Sequence, residues 1–439
     1  MALTKVTGGL LGNLPTGTNN VAVGDTALDS IASGATSNVA IGSAAGTALT
    51  TGDNNVAIGF EALNTEDAHG DNVAVGHQAL KTLNAGADGF NTAVGYQAGI
   101  AVDTGVKNTL IGAVAGDALT DADFNVAIGE KALSSDTKGS RSVAIGQGAL
   151  FTQNFTSSTD SFNVAVGFQA GVLITTGVQN TIIGGESGDA LTTGNENVAV
   201  GYNTLGAAQT TRKAVAVGRS ALAVCTGDNN TAVGHQSGIS LLAGTENTLL
   251  GAASGDALTT GTNNVLLGSG TSVSAVDGSG ANALGRNVVG VAGYTTLGSG
   301  SDDIRAAHGN ITWATVSDER YKKDITDSTA GLSFINALQP RTWKYKTLGE
   351  LPETFIAYKA DSTKAFKNSN TNHGFIAQEV KAAIDADSNI KDGFRLWDER
   401  PDGSQEVGEA ALIPVLVKAI QEQSALITAL TARITTLEG

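Results

Sequence analysis

The sequence predicts a mostly β chain: a parallel β-roll or β-solenoid of about sixteen 17-residue coils, followed by an α+β domain that ends in a coiled-coil helix. Three observations predict it. Glycine is abundant and proline scarce, a short glycine-terminated string recurs at a fixed period, and the last segment carries a heptad. Of 439 residues 57 are Gly and 5 are Pro, so glycine is about 13% against the ordinary ~7%. No Gly-X-Y period exists, which excludes collagen. An apolar content of 41% is too high for a disordered chain.

The recurring string is N-[VT]-[AIL]-[VIL]-G. Its glycines are Gly24, Gly42, Gly59, Gly76, Gly95, Gly112, Gly129, Gly146, Gly167, Gly184, Gly201, Gly218, Gly234, Gly251, Gly268 and Gly285, and most gaps are 17. A longer string, IGxxxGxALT, starts around Gly42, Gly112, Gly184 and Gly251, spaced 70, 72 and 67, so the array reads as duplicated four-coil blocks. The β-branched run before each glycine predicts one short strand closed by a tight turn. The asparagine at its head suits a turn or an inward ladder bonded to the next coil. The following A-L or A-G pair predicts a second, shorter strand, and T-G-x-N the return loop. Sixteen coils at ~4.8 Å predict a rod of roughly 77 Å. Interiors of Ala and Gly predict a slim coil that gains from packing against other chains.

The N-x-V-A-I-G repeat resembles the head repeats of trimeric autotransporter adhesins over about residues 19–287. That resemblance implies a trimer of parallel β-rolls.

Composition changes near residue 316. Only Pro15 precedes residue 340, and Trp313, Trp343 and Trp397 all lie late. The net charge of −16 divides into −13 for residues 1–316 (11 basic, 24 acidic) and −3 for the rest (15 basic, 18 acidic). An acidic chain opposes phosphate binding, so no nucleic-acid partner is expected. A single cysteine, Cys225, excludes a disulfide framework and a cysteine zinc site, and no cofactor or metal is expected. The N-terminus lacks the apolar core of a secretory leader. No run approaches ~18 consecutive apolar residues, so no membrane insertion is expected.

Residues 317–439 carry SDERYKKDI, LQPRTWKYK and HGFIAQEV in order, then a helix. They resemble the C-terminal intramolecular chaperone of phage tail spikes and fibres, the endosialidase type. The resemblance implies a domain that trimerises, helps a β-helical shaft assemble and then cuts itself off through a Ser-Lys dyad. Carried onto the pattern S-D-x-R-x-K, it makes Ser317 the nucleophile, Lys322 the general base, Asp318 and Arg320 supporting residues, and Val316–Ser317 the scissile bond. His373, Gln378 and Glu379 in the second motif would complete the cleavage site or the trimer core. The chemistry is coherent: serine needs a base to take its proton, and lysine serves once burial lowers its pKa. The attacked carbonyl belongs to the same chain, so one turnover suffices. The residues alone leave another reading open, Ser317 as a helix N-cap before D-E. A spacing of five does not share one face of a regular helix, so a bend is required. Lys323 is a neighbouring alternative base.

In the last segment Ile413, Ile420, Ile427 and Ile434 repeat every seven, with Leu416, Gln423, Leu430 and Leu437 three later. This is an a/d seam over 412–438, with Pro414 tolerable in a first turn. Ile at a with Leu at d leans by itself to two strands; polar Gln423 can set register, and the two resemblances imply three.

In the repeats, glycan cleavage would want two facing carboxylates. Glu61, Glu130, Glu186, Glu196 and Glu246 are scattered and suit solubility. The position after the repeat glycine is often large: Phe60, His77, Tyr96, Phe168, Tyr202 and His235, with Gln78, Gln97, Gln169 and Gln236 following four of them. This row suits inter-chain packing or sugar contact, with Tyr96, Gln97, Phe168 and Gln169 as candidate glycan contacts. Expected domains are an attachment segment (1–18), the shaft (19–287), a β neck (288–316) and the chaperone (317–439). The whole reads as a homotrimeric tail fibre or spike of a virion, made in the host cytoplasm. It would attach to the particle through its N-terminus and to a host-surface glycan or receptor through its shaft. Alternatives are a glycan depolymerase on the same scaffold and a structural fibre that does not cleave.

Overall fold

A computed structural model describes residues 17–310, 313–387, 390, 396–401 and 403–439. The chain divides into two compact units, Met1–Val316 and Ser317–Gly439. The attachment segment expected at 1–18 lies almost wholly outside the described residues.

The first unit is a β-solenoid. Among the described residues, fifteen three-residue strands from Val21–Val23 to Val265–Leu267, and a sixteenth at Asn282–Arg286, pair in parallel, each with the strand one coil on. The register is unbroken: Val39 faces Val56 and Val56 faces Val73. The middle residue of each strand points inward; Ala57, Ala74 and Ala93 are buried while their neighbours stay half-exposed. A second buried column, seven residues after each repeat glycine, holds Leu49, Leu83, Val102, Leu119, Ile174, Leu191, Leu241 and Leu258.

Two devices hold the coils together. The inward asparagines form the expected ladder: Asn38 Oδ1 accepts the backbone N–H of Asn55 at 2.9 Å, and Asn38 Nδ2 donates to Gly52 O at 2.8 Å. The repeat continues through Asn91, Asn108 and Asn125. Such bonds satisfy backbone groups that burial would otherwise leave unpaired. The repeat glycines are required twice over. Gly59 has φ +137°, and a Cβ there would lie 2.3 Å from Gly76 O of the next coil.

The second, shorter strand expected at the A-L or A-G pair does not form. Its second residue is left-handed: Leu63 has φ 50°, Leu80 φ 48°, and Gly46 and Gly116, in the equivalent place, φ 57° and 56°. Left-handed residues turn the chain, so most coils have one strand and a turn-rich return. Among the described residues short second strands pair only in Gly139–Ser140 with Thr159–Asp160 and Ser272–Val273 with Val289–Gly290, none of them at an A-L or A-G pair. L-residues there carry strain of order 1 kcal/mol each, offset by backbone bonds to the next coil such as Leu63 N to Ala79 O at 3.0 Å.

Beyond the last coil, Tyr294–Ser299 pairs in parallel with Asn282–Arg286 and antiparallel with Asp302–Ala307.

The second unit is α+β. Helices α1 (Leu332–Ala337), α2 (Ala377–Ala386) and α3 (Leu412–Glu438) accompany two antiparallel strand pairs, Arg341–Trp343 with Asn372–Gly374 and Trp397–Glu399 with Gln405–Val407. Phe334, Val380, Ile384, Leu396, Leu412 and Val415 form its core. Helix α3 docks through Leu412, Val415 and Ala419, and Glu422 accepts the Leu332 N–H at 2.8 Å. Its heptad face stays outside, with Ile413, Ile420, Ile427 and Leu430 all exposed. By length and composition the helical stretch Glu409–Glu438 is apolar enough to cross a membrane.

Candidate functional site

Ser317 and Lys322 flank one 3₁₀ turn, Glu319–Tyr321, and both are exposed. Asp318, not Ser317, caps that turn. Its Oδ1 accepts the Arg320 backbone N–H at 2.8 Å and Arg320 Nε at 3.0 Å, and its Oδ2 accepts Arg320 Nη2 at 2.7 Å. The Arg320 side chain, then its backbone N–H, holds the Asp318 carboxyl below the usual range. Lys322 is extended, with its N–H on Glu319 O at 2.9 Å. A tight turn with extended flanks supplies the bend that a spacing of five requires, and Lys322 Nζ donates to Ser317 Oγ at 2.8 Å. No such bond joins Lys323 to Ser317 among the described residues.

To act as base the lysine must lose its ammonium proton, which burial favours. The arrangement is thus a serine hydroxyl and a lysine side-chain nitrogen in contact, one peptide bond after Val316.

The second motif is placed apart from this pair in its bonding. His373 lies on the strand Asn372–Gly374 opposite Thr342 and is exposed. Glu379, in the first turn of α2, takes a two-pronged bond from Arg341, Nε at 3.0 Å and Nη2 at 2.8 Å. That bond pulls the Glu379 carboxyl down and the Arg341 guanidinium up. It ties the R-T-W strand to the HGFIAQEV helix. Gln378 is exposed beside it. Among the described residues none of His373, Gln378 and Glu379 hydrogen-bonds to Ser317 or Lys322.

On the solenoid, Phe60, His77 and Tyr96 stack in successive coils with ring centroids 5.3 Å apart. Beside them Gln97 Nε2 donates to Gln78 Oε1 at 2.8 Å and Gln78 Nε2 to Glu61 Oε2 at 2.8 Å, while Lys81 pairs with Glu61 at 2.6 Å. Phe168 is exposed, and Gln169 lies one residue on in left-handed backbone, φ 52°.

Two features escaped sequence reasoning. Glu66 and Asp136 replace the buried leucine at the seventh place after their glycines and are fully enclosed. Glu66 accepts N–H groups of Ala85 and His69 at 3.1 and 3.2 Å, and burial pushes its carboxyl up. With Asp67 and His69 it forms a group of metal-ligand atoms within 4.8 Å; the signal was a charge in a mostly apolar column. Phe124, one residue before the ladder Asn125, is bracketed by Lys107 at 4.9 Å and Arg141 at 4.8 Å from the coils on either side.

No curated protein and no solved structure matches the chain. Residues 317–388 match the family described as chaperone of endosialidase. The match begins at Ser317, and the chain therefore carries a chaperone-of-endosialidase domain behind a long β-solenoid, in keeping with the tail-spike or tail-fibre type of protein.

Proposed function

We propose that this chain is a homotrimeric virion fibre or spike. In this reading the C-terminal unit assembles three chains and then cuts between Val316 and Ser317, leaving the solenoid as the host-attachment shaft. The observation that carries the reading is the 2.8 Å contact of Lys322 Nζ with Ser317 Oγ, at the first residue of the matched domain. Ser317 Oγ would attack the Val316 carbonyl carbon as Lys322 takes its proton. The C–N bond breaks as that proton passes to the Ser317 amine, and water then hydrolyses the resulting Val316–Ser317 ester to a Val316 carboxylate and a free Ser317 hydroxyl. The exposed isoleucine and leucine face of α3 supports association of chains through this helix, and the two resemblances set their number at three. Virion components would be held through the N-terminus, and the host through a surface glycan or receptor.

The test is a denaturing gel of the full chain. Wild type should yield a fragment of 316 residues and Ser317→Ala only the full length. A fragment of that size from Ser317→Ala overturns the dyad, and a monomeric native mass overturns the fibre. A second reading, a fibre that does not cleave, is favoured by the exposure of Lys322; an uncut trimeric wild type would select it.

A further inference from the structure

The fifteen three-residue strands of the solenoid contain no charged residue. Their inward middle residue is Ala in most coils, while the outward third residue is Val, Ile or Leu in every one. The larger aliphatic side chains therefore point out and the smaller ones in. Unbroken pairing stacks the outward residues into a column, with Ile58, Val75, Val94, Ile111 and Ile128 side by side in consecutive coils. They stay half-exposed, and Ile41 and Leu250 are 39% and 49% exposed. A parallel sheet ordinarily has both faces covered, and its strands then read as continuous apolar runs. These strands read that way, yet their outer face is open to solvent. A continuous apolar surface of this extent marks an interaction site.

The flanks of the face point the same way. Each exposed phenylalanine of the solenoid lies beside it, Phe60 and Phe168 two residues after a strand and Phe90, Phe124 and Phe162 two residues before one. The last three are left-handed, with φ 50°, 58° and 49°, where other coils place Asn54, Asn229 and Asn263. Asparagine tolerates that backbone, whereas a bulky residue there costs of order 1 kcal/mol. Phe90 and Phe162 are 53% and 51% exposed, so burial within one chain offsets little of that cost. A surface laid over the face would bury both rings.

We infer that this strand face is where copies of the chain pack against one another along the shaft. Sixteen coils make a strip ~77 Å long and, at three residues, ~10 Å wide, or about 770 Å². That approaches the ~800 Å² which one partner gives to a standard interface, and the flanking rings widen it. A second copy has the same pitch, the same length and the same lack of charge, so it matches the strip coil for coil. A charged partner would have to desolvate its own groups there. The inference rests on the homotrimer reading and names the surface that reading needs. A cut after Val316 removes α3 from the shaft, so a lasting trimer requires a contact within residues 1–316. A periodic face allows slipped registers, so α3 must align the chains before the face holds them.

The experiment treats full-length Ile145→Cys with a short bismaleimide and reads linked chains on a denaturing gel. Ile145 is an outward strand residue, and Cys225, the chain's own cysteine, is buried. Ile145→Cys should link in pairs, whereas Thr65→Cys, exposed on the return side of a coil, should stay single. Adding Ile58→Asp and Ile111→Asp should cut the Ile145→Cys pairing about tenfold or more, with circular dichroism confirming that the variant is folded. Analytical ultracentrifugation gives the native mass. Three chains without Ile145→Cys pairs overturn the face and leave the trimer standing. Equal pairing by Thr65→Cys, or pairing untouched by the two aspartates, also overturns the face. Strong pairing in a chain that stays uncut overturns the cutting alone, and a native mass of one chain overturns trimer and face together.

Discussion

Lys322 Nζ reaches Ser317 Oγ at 2.8 Å across a single 3₁₀ turn whose cap is Asp318. The geometry assigns separate tasks to neighbours in one short motif: Asp318 and Arg320 shape the turn, and Lys322 uses it. Replacing Lys322 with Ala should abolish cleavage on a denaturing gel, while Lys323→Ala should cut as wild type. Asp318→Ala should slow cutting about tenfold or more through misplacement of the pair. Full cutting by Lys322→Ala would remove lysine from the mechanism.

The seam of α3 makes a prediction about assembly. Ile420→Asp and Ile427→Asp place charge on an exposed face and should lower the native mass from three chains to one, with helix content of the monomer little changed. Val415→Asp charges the buried face instead and should unfold the C-terminal unit, since Val415 is 3% exposed. Analytical ultracentrifugation with circular dichroism separates the two. A trimer that survives both seam variants would show that the seam does not hold it.

Gly59→Ala should destabilise the solenoid by about 3 kcal/mol or more, because its Cβ meets a carbonyl oxygen in backbone unsuited to L-residues. Gly86→Ala, where nothing lies within 4 Å of the added carbon, should change stability by less than about 1 kcal/mol. Urea denaturation reads both.

Asn108→Ala should cost about 2–4 kcal/mol by the same measurement. It strands the Asn125 N–H, now 2.9 Å from Asn108 Oδ1, and the Ala122 carbonyl, now 2.8 Å from Asn108 Nδ2.

Glu66 gives the solenoid a pH dependence of defined sign. Burial raises its carboxyl above the ordinary glutamate range, so the folded chain holds its proton more tightly than the unfolded one. Its contribution is fully present below that value and is lost as pH rises through the raised folded value. Glu66→Gln should flatten this part of the melting-temperature profile against pH. A profile identical to wild type would show that Glu66 does not titrate in this window.

The period, the single strand before each glycine, the asparagine ladder and the heptad were legible in the sequence, because each is a short-range pattern repeated until chance is excluded. The motif from Ser317 to Lys322 was legible as a list of residues. What it lacked was the bend, since a spacing of five is compatible with contact only in a tight turn with extended flanks. Tertiary structure alone decided that Leu63 and its equivalents turn left-handed and do not form a second strand. It also decided that Glu379 is engaged by Arg341 and that a carboxylate is enclosed in the leucine column at Glu66. Each depends on which residues of different coils or elements face one another. Pairing register sets that, and register is settled by the packing of the whole stack.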